Sequence, residues 1–475
     1  MNNQTVFSNL IWRFAERIGA QLVAFIVSVA LARILEPSAY GTVALITVFT
    51  AILQVFVDSG LGNALIQKKE VDNIDFSTVF YTNIVFCMGL YILLFIFSPF
   101  IAEFYRDKAI SAYMRVLGIT VLISGVKNVQ QAYVSRNMLF KKFFFSTLGG
   151  TIVAGVIGVI MSYVGFGVWA LVAQQVINLT IDTVILWITV KWRPDLVFSF
   201  ARLKELFSFG WKLLVSSLID TVYTNVQQLL IGKIYTSVDL AQYNRGKQFP
   251  NLIVNNINSS IDSVLLPAMS NEQENKEKVR NMTRRAIKIS VYLIAPLMMG
   301  LVFCGRPIIG LILTDKWLPS VFFMQIFCIS YMFWPIHTAN LNAIKAMGRS
   351  DLFLKLEIEK KIVGIIALFV TVFISVEAMA YSLLFTSVVS QIINSYPNKK
   401  LLDYGYFEQL KDILPSVFLA LIMGICIYPI QNLGFSYFIT LLIQVPLGAL
   451  IYLVGSKLLH IDSFEYLLGI IKSYL

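Results

Sequence analysis

Residues 18–32, IGAQLVAFIVSVALA, and residues 362–376, IVGIIALFVTVFISV, decide the fold. Neither stretch holds a charge, and neither alternates apolar with polar as the short strands of a membrane barrel do. Inside a bilayer nothing outside the chain satisfies the backbone N–H and C=O groups, so a continuous apolar run of this kind closes its hydrogen bonds as a helix. A span needs about 20 such residues. Working outward from these two runs, the same signal predicts spans at 8–34, 40–66, 77–102, 111–135, 145–165, 167–190, 206–232, 247–269, 287–313, 319–346, 355–375, 377–396, 411–430 and 435–457. The expected class is an all-α integral membrane protein of about fourteen transmembrane helices.

Composition agrees. The chain is 57% hydrophobic, has a mean hydropathy of +0.74, and only 14% of its 475 residues are charged, against roughly 25% in an ordinary soluble domain. One globule could not hide that much apolar surface. The net charge of +11 would suggest nucleic acid in a soluble protein; here it follows from topology. With the N-terminus inside, about 22 Lys and Arg fall in cytoplasmic loops and about 6 on the other face, the bias of the positive-inside rule. An even number of spans then puts both termini in the cytoplasm. The opening MNNQTVFSN is polar and uncharged and no small-residue cleavage site follows, so the first apolar run reads as a retained helix.

A repeat divides the chain. Trp12 and Arg13 recur as Trp211 and Lys212, and Arg33 and Ile34 as Lys233 and Ile234. Pro99, Asp107 and Lys108 match Pro307, Asp315 and Lys316 at the same internal spacing. Six spans separate the copies, so both enter the membrane in one direction, as in a parallel repeat about the membrane normal. The expected organisation is a six-helix lobe over 1–200, a second over 201–400, two further helices over 401–458 and a tail over 459–475. In that tail Asp462, Ser463, Phe464 and Glu465 read as a helix start. Phe464, Leu467, Leu468 and Ile471 then share one face, which suggests a short interfacial helix.

Ionisable groups inside spans are costly, about 2.5–3.5 kcal/mol each at a helix centre on insertion scales, so they seek a partner or water. Arg13, Arg17, Lys127, Lys212, Arg245, Lys247 and Lys345 are the candidates for a cavity that takes an anionic headgroup. Arginine is suited to this because its planar fork binds phosphate oxygens in pairs. Salt bridges between helices, or snorkelling to the interface, are the competing explanation for each. Arg13 and Lys212 occupy repeat-related positions and are the leading pair. The seventh and eighth spans are unusually polar, and Asn255 and Asn256 are expected to face sugar hydroxyls. Pro335 is placed to kink the tenth span. Asp58, Asp182, Asp220, Asp262 and His337 are the candidates for coupling to H+ or Na+.

Chemistry in water is not indicated. No phosphate-loop motif, nucleophile triad or metal-ligand cluster occurs, so no cofactor, no ATP and no enzymatic reaction is expected. The four cysteines lie in apolar runs without redox or metal spacing. Without ATP, an ion gradient or the substrate's own gradient supplies the energy.

Several blocks carry a family resemblance: LARILEPSAYGTVALI at 31–46, FVDSGLGNALIQKK at 56–69, GFGVWALVAQQ at 165–175, KWRPDLVFSF at 191–200, LFSFGWKLLVSSL at 206–218, YNRGKQFPNLI at 243–253 and NAIKAMGRSDLFLKLEI at 342–358. In order and spacing they resemble the polysaccharide transport branch of the multidrug/oligosaccharidyl-lipid/polysaccharide exporter superfamily, in particular Wzx-type flippases of the colanic-acid and teichuronic-acid exporter kind. The resemblance spans roughly residues 5–415. It implies two six-helix lobes facing each other in a V, and alternating access. It implies an undecaprenyl-pyrophosphate-linked oligosaccharide carried from the cytoplasmic to the outer leaflet of the bacterial inner membrane, with polysaccharide polymerase and chain-length machinery as partners beside membrane lipids, and no nucleic acid. A drug–cation antiporter on the same fold would favour an acidic, aromatic cavity, and the excess of in-span cations argues against it. A membrane polymerase or glycosyltransferase would need a large external loop, which is absent.

Overall fold

The computed structural model describes residues 3–58 and 61–474, with side chains throughout except at 3–11, 13–17, 209, 471, 473 and 474. Every regular element among the described residues is helical. The chain forms two compact units, Met1–Ala241 and Gln242–Leu475.

The first unit holds α1 (Asn3–Ile34), α2 (Pro37–Asp58), α3 (Leu61–Gln67), α4 (Asn73–Phe104), α5 (Ala109–Arg136), α6 (Phe140–Tyr163), α7 (Val168–Thr189) and α8 (Phe200–Ile234). Helices α6 and α7 form a hairpin whose turn, Gly165 and Gly167, uses φ of +92° and +56°, conformations that side chains with a Cβ resist. The pair packs through α6 on α1, where Trp12 meets the Phe144 ring edge-on at 5.4 Å. Pro99 inside α4 has no N–H to give the carbonyl of Phe95. Ser98 Oγ donates to that carbonyl at 2.9 Å and Arg115 Nη2 at 3.4 Å, so the kink is satisfied by side chains.

The block KWRPDLVFSF turns out to be the strap between α7 and α8. Trp192 sits among Phe76, Phe80 and Tyr133, and its Nε1 donates to Asn73 Oδ1 at 2.6 Å. Arg193 donates to the carbonyls of Val190, Trp192 and Trp187, closing the open end of α7. At the same end Lys68 pairs with Asp75 and Glu205, and Arg202 with Asp72 and Asp75, which fastens the start of α8 to α4. Asp72 caps α4, and the Asp75 backbone N–H, aided by Arg202, holds its carboxyl below the usual carboxylate range.

The second unit takes over in the second turn of α9 (Ser237–Asn271) and continues through α10 (Lys276–Phe303), α11 (Gly305–Ile312), α12 (Ser320–Met332), α13 (Trp334–Ala346), α14 (Ser350–Thr371), α15 (Val376–Leu402), α16 (Tyr406–Ile427), α17 (Tyr437–Leu458) and α18 (Asp462–Tyr474). The expected kink at Pro335 is a one-residue interruption: α12 ends at Met332, Phe333 is a turn residue with φ −94° and ψ 0°, and Pro335 stands in the first turn of α13, where its missing N–H is harmless. Helix α10 is the hub, packing on α12, α13 and α16. The tail is helical as expected. Lys288 reaches Asp462 at its start, and Arg285 stacks over Tyr466 at 4.7 Å. The side chain of Ile471, expected on the apolar face, is outside the described residues.

Among the described residues ten helices are long and apolar enough to cross a membrane. The other four predicted spans correspond to α1, whose apolar part is Ile18–Ile34, and to α8, α9 and α14. The count of fourteen is therefore approximate, and the shortfall is informative: α8 and α9 are long enough but too polar. The repeat also shows in the bounds, since α1 ends at Ile34 and α8 at Ile234, while α2 begins at Pro37 and α9 at Ser237.

Candidate functional site

The cations picked from the sequence separate into two groups. Lys127 is buried on α5, and its Nζ lies 2.5 Å from Asp182 Oδ2 on α7, so a cavity candidate and a coupling candidate form one ion pair inside the first unit. Beside it, Asn128 Nδ2 donates to Asp58 Oδ1 at 3.4 Å, and Asn128 Oδ1 accepts from Asn83 Nδ2 at 3.3 Å. Arg245 is buried over the Trp317 ring at 4.7 Å and donates to Gln248 Oε1 at 2.5 Å. Its neighbour Tyr243 is edge-on to Phe323 and Phe327, so YNRGKQF is chiefly an anchor of α9 to the segment around α12. Lys345 lies over the Phe353 ring at 4.5 Å.

Lys212 and Lys247 differ. Lys212 is exposed on α8 and Lys247 is half-buried on α9, and among the described residues neither has a hydrogen bond, ion pair or ring contact. The side chains of Arg13 and Arg17 lie outside the described residues, so the structure speaks to only one member of the repeat-related pair.

Around Lys212 the polar residues are ordered. Lys212, Ser216, Asp220 and Thr224 follow at four-residue steps and all are exposed. Residues four apart on a helix are neighbours on its surface. At 1.5 Å per residue this stripe runs about 18 Å, more than half of a hydrocarbon core about 30 Å thick. On α9, Asn255, Asn256, Ser260, Asp262 and Ser263 are exposed. Asn256 Nδ2 is spent on the Leu252 carbonyl at 2.8 Å, and Asp262 Oδ1 accepts from Asn342 Nδ2 on α13 at 2.8 Å. Asn258 is buried with neither amide atom hydrogen-bonded. Each helix thus carries a wet face that hydrocarbon would penalise.

His337 belongs to a different structure. Its Nδ1 is 3.0 Å from Asn394 Nδ2, beside a buried amide network. Asn340 donates to Gln409 Oε1 at 2.8 Å and accepts from Gln409 Nε2 at 2.9 Å and Asn398 Nδ2 at 2.6 Å, while Ser395 donates to Gln409 Oε1 at 3.0 Å. This ties α13, α15 and α16 together. Of these residues the sequence singled out only His337 as a candidate site residue. The signal was present in Gln391, Asn394, Ser395 and Asn398, which repeat at helical spacing along one face of α15.

The family described as Polysaccharide biosynthesis protein matches residues 30–322, more than half of the sequence. The chain belongs to that family. Among its relatives, the teichuronic acid biosynthesis protein TuaB of Bacillus subtilis is 27% identical over 422 residues, covering 85% of each chain. The succinoglycan biosynthesis transport protein ExoT of Rhizobium meliloti is 22% identical over 317 residues, covering 67% of this chain and 64% of that one. Among solved structures, the lipid II flippase MurJ in an inward closed conformation superposes with a TM-score of 0.77 at 15% identity, covering 95% of this chain and 99% of that one. An inward-facing multidrug resistance MATE transporter of the MOP superfamily gives 0.62 at 14% identity, covering 85% and 98%. At these identities the structures speak for the fold alone: this member of the polysaccharide biosynthesis family is a multi-pass membrane protein with a MurJ- and MATE-like helical fold.

Proposed function

We propose that the protein is a flippase that carries an undecaprenyl-pyrophosphate-linked oligosaccharide from the cytoplasmic to the outer leaflet for surface polysaccharide synthesis. The observation that carries this reading is that Lys212 and Lys247, on two span-length helices too polar to face lipid, have no partner among the described residues. Their relatives' names supply the context: teichuronic acid and succinoglycan biosynthesis. Each ammonium, without a partner among the described residues, suits a phosphate oxygen. Ser216, Thr224, Asn255 and Asn256 suit the hydroxyls of the sugars, and Asp220 and Asp262 can accept from them. Symmetry adds Arg13 to this set. Alternating access between the two lobes of the repeat is the implied cycle, in the bacterial inner membrane with both termini cytoplasmic, and polymerase and chain-length machinery would receive the product.

A coupling ion, H+ or Na+, would act at carboxylates held by amides rather than by cations. Asp58 with Asn128 and Asp262 with Asn342 meet that description, whereas Asp182 already faces an ammonium.

Deletion of the gene tests the proposal in the cell. Lipid-linked repeat units should accumulate on the cytoplasmic face and the surface polymer should disappear. Unchanged polymer without such accumulation, in a strain with no second exporter, would refute it.

A further inference from the structure

Within the second unit, at the ends of α10, α11 and α17, lies a pocket of about 280 Å³, at the small end of ligand sites, which run to about 300–1,000 Å³. By the cation bias of the loops this end of the bundle faces away from the cytoplasm. Aromatic rings make its walls: Phe303 meets Tyr428 edge-on at 5.9 Å, and Tyr437 leans on α11 where Gly310 has no side chain to obstruct it. Its polar groups are largely unspent. Arg306 is one of the few cations on this face, and among the described residues its side chain has no hydrogen bond, ion pair or ring contact. Gln431 and Asn432, from the short 3-10 turn Tyr428–Asn432, also have no side-chain hydrogen bond. Gln325 gives Nε2 to the Val302 carbonyl at 3.0 Å and keeps Oε1. Tyr437 Oη donates to Asp315 Oδ1 at 3.0 Å and can still accept.

We infer that this pocket is an outward-facing carbohydrate subsite for an acidic sugar. Arg306 meets the carboxylate, the amides of Gln431 and Asn432 meet ring hydroxyls, and the apolar face of the sugar lies against the aromatic wall. A guanidinium with no acid beside it selects an anionic ligand. The free amides and rings select a hydroxylated one with an apolar face, which distinguishes a sugar from a phospholipid headgroup. The inference deepens the proposed transport reading by giving the emerging glycan a landing place on the outer side, and rests on that reading for its biological role.

The test uses the full-length protein in nanodiscs with D-glucuronate as probe and D-glucose as the neutral control. Saturation-transfer NMR should give a clear glucuronate signal, at least fivefold above glucose, that Arg306→Gln reduces at least fivefold and Asn432→Ala, in an exposed turn, reduces without affecting folding. In a Cys426→Ala background, Asn432→Cys should react with an impermeant maleimide in intact cells and be protected by glucuronate. Equal signals for the two sugars, a signal indifferent to both variants, or reactivity only in inverted vesicles would overturn the inference. So would occupancy that follows phosphatidylglycerol content and not the sugar. The outcomes separate from those of the deletion strain: glucuronate binding alongside normal polymer export would fault the transport reading alone, and lost export in that strain without glucuronate binding would fault the pocket alone.

Discussion

Lys127→Met is expected to destabilise the protein by roughly 3–5 kcal/mol, the range for removing one partner of a buried ion pair. The reason is the charge left behind. Asp182 is buried on α7 with its Oδ2 against Lys127 Nζ at 2.5 Å, and its other oxygen has no hydrogen bond among the described residues. Taking away the ammonium strands a carboxylate between α5 and α7. The double variant Lys127→Met, Asp182→Leu should recover most of the loss, because apolar residues of similar volume replace a buried pair at little cost. Thermal unfolding of the detergent-purified protein reads both effects. The same double variant decides what the pair is for. As a structural clamp within the first unit it can be replaced without losing export, and export near wild type is the expected result. Full stability with export abolished would return Lys127 and Asp182 to the transport path.

The second large effect is expected at the amide network. Asn340→Leu removes the acceptor for Asn398 Nδ2 and Gln409 Nε2 and the donor to Gln409 Oε1, all in a fully buried site. Each group keeps one other partner (the Asn340 and Tyr404 carbonyls and Ser395 Oγ), so the loss is three hydrogen bonds at about 0.5–1.5 kcal/mol each, roughly 2–4 kcal/mol in all, read as loss of monodisperse protein on size exclusion. Asn255→Leu on α9 is the contrast. Asn255 is exposed and, among the described residues, makes no side-chain hydrogen bond, so its loss should leave stability unchanged and lower export severalfold. Equal instability in both variants would dissolve the distinction between a structural network in the second unit and a transport face on α9.

The helices were legible because their signal is local. Continuous apolar runs, Pro335 and the Asp462 helix start each act over a few residues, and each reappears in the structure as a helix or a helix boundary, although α9 and α10 begin well before the predicted 247 and 287, at Ser237 and Lys276. The polar character of α8 and α9 was legible for the same reason. Pairing was not. Lys127 and Asp182 are 55 residues apart, and whether a charge faces a partner or water depends on which sides of α5 and α7 meet. Arg245 looked like a cavity cation until Trp317 was found beneath it. Gln409, one amide among the charged Glu408, Lys411 and Asp412 at the start of α16, acquires meaning only when α13 and α15 are brought against it. Of the five candidate cations whose side chains are described, Lys212 and Lys247 have no partner among the described residues, a sorting that composition and spacing could not perform.

On the proposed reading this chain moves a pyrophosphate-linked glycolipid between leaflets. The most direct measurement reconstitutes the purified protein in liposomes of bacterial lipids carrying undecaprenyl-pyrophosphate-linked oligosaccharide in both leaflets, with an ion gradient imposed, and follows how much substrate an impermeant glycan-oxidising reagent can reach. Nearly all of it should become reachable with the wild-type protein, and a Lys212→Glu, Lys247→Glu variant should leave only the outer leaflet's share. Accessibility that stays at the outer leaflet's share with folded wild-type protein present would contradict the reading.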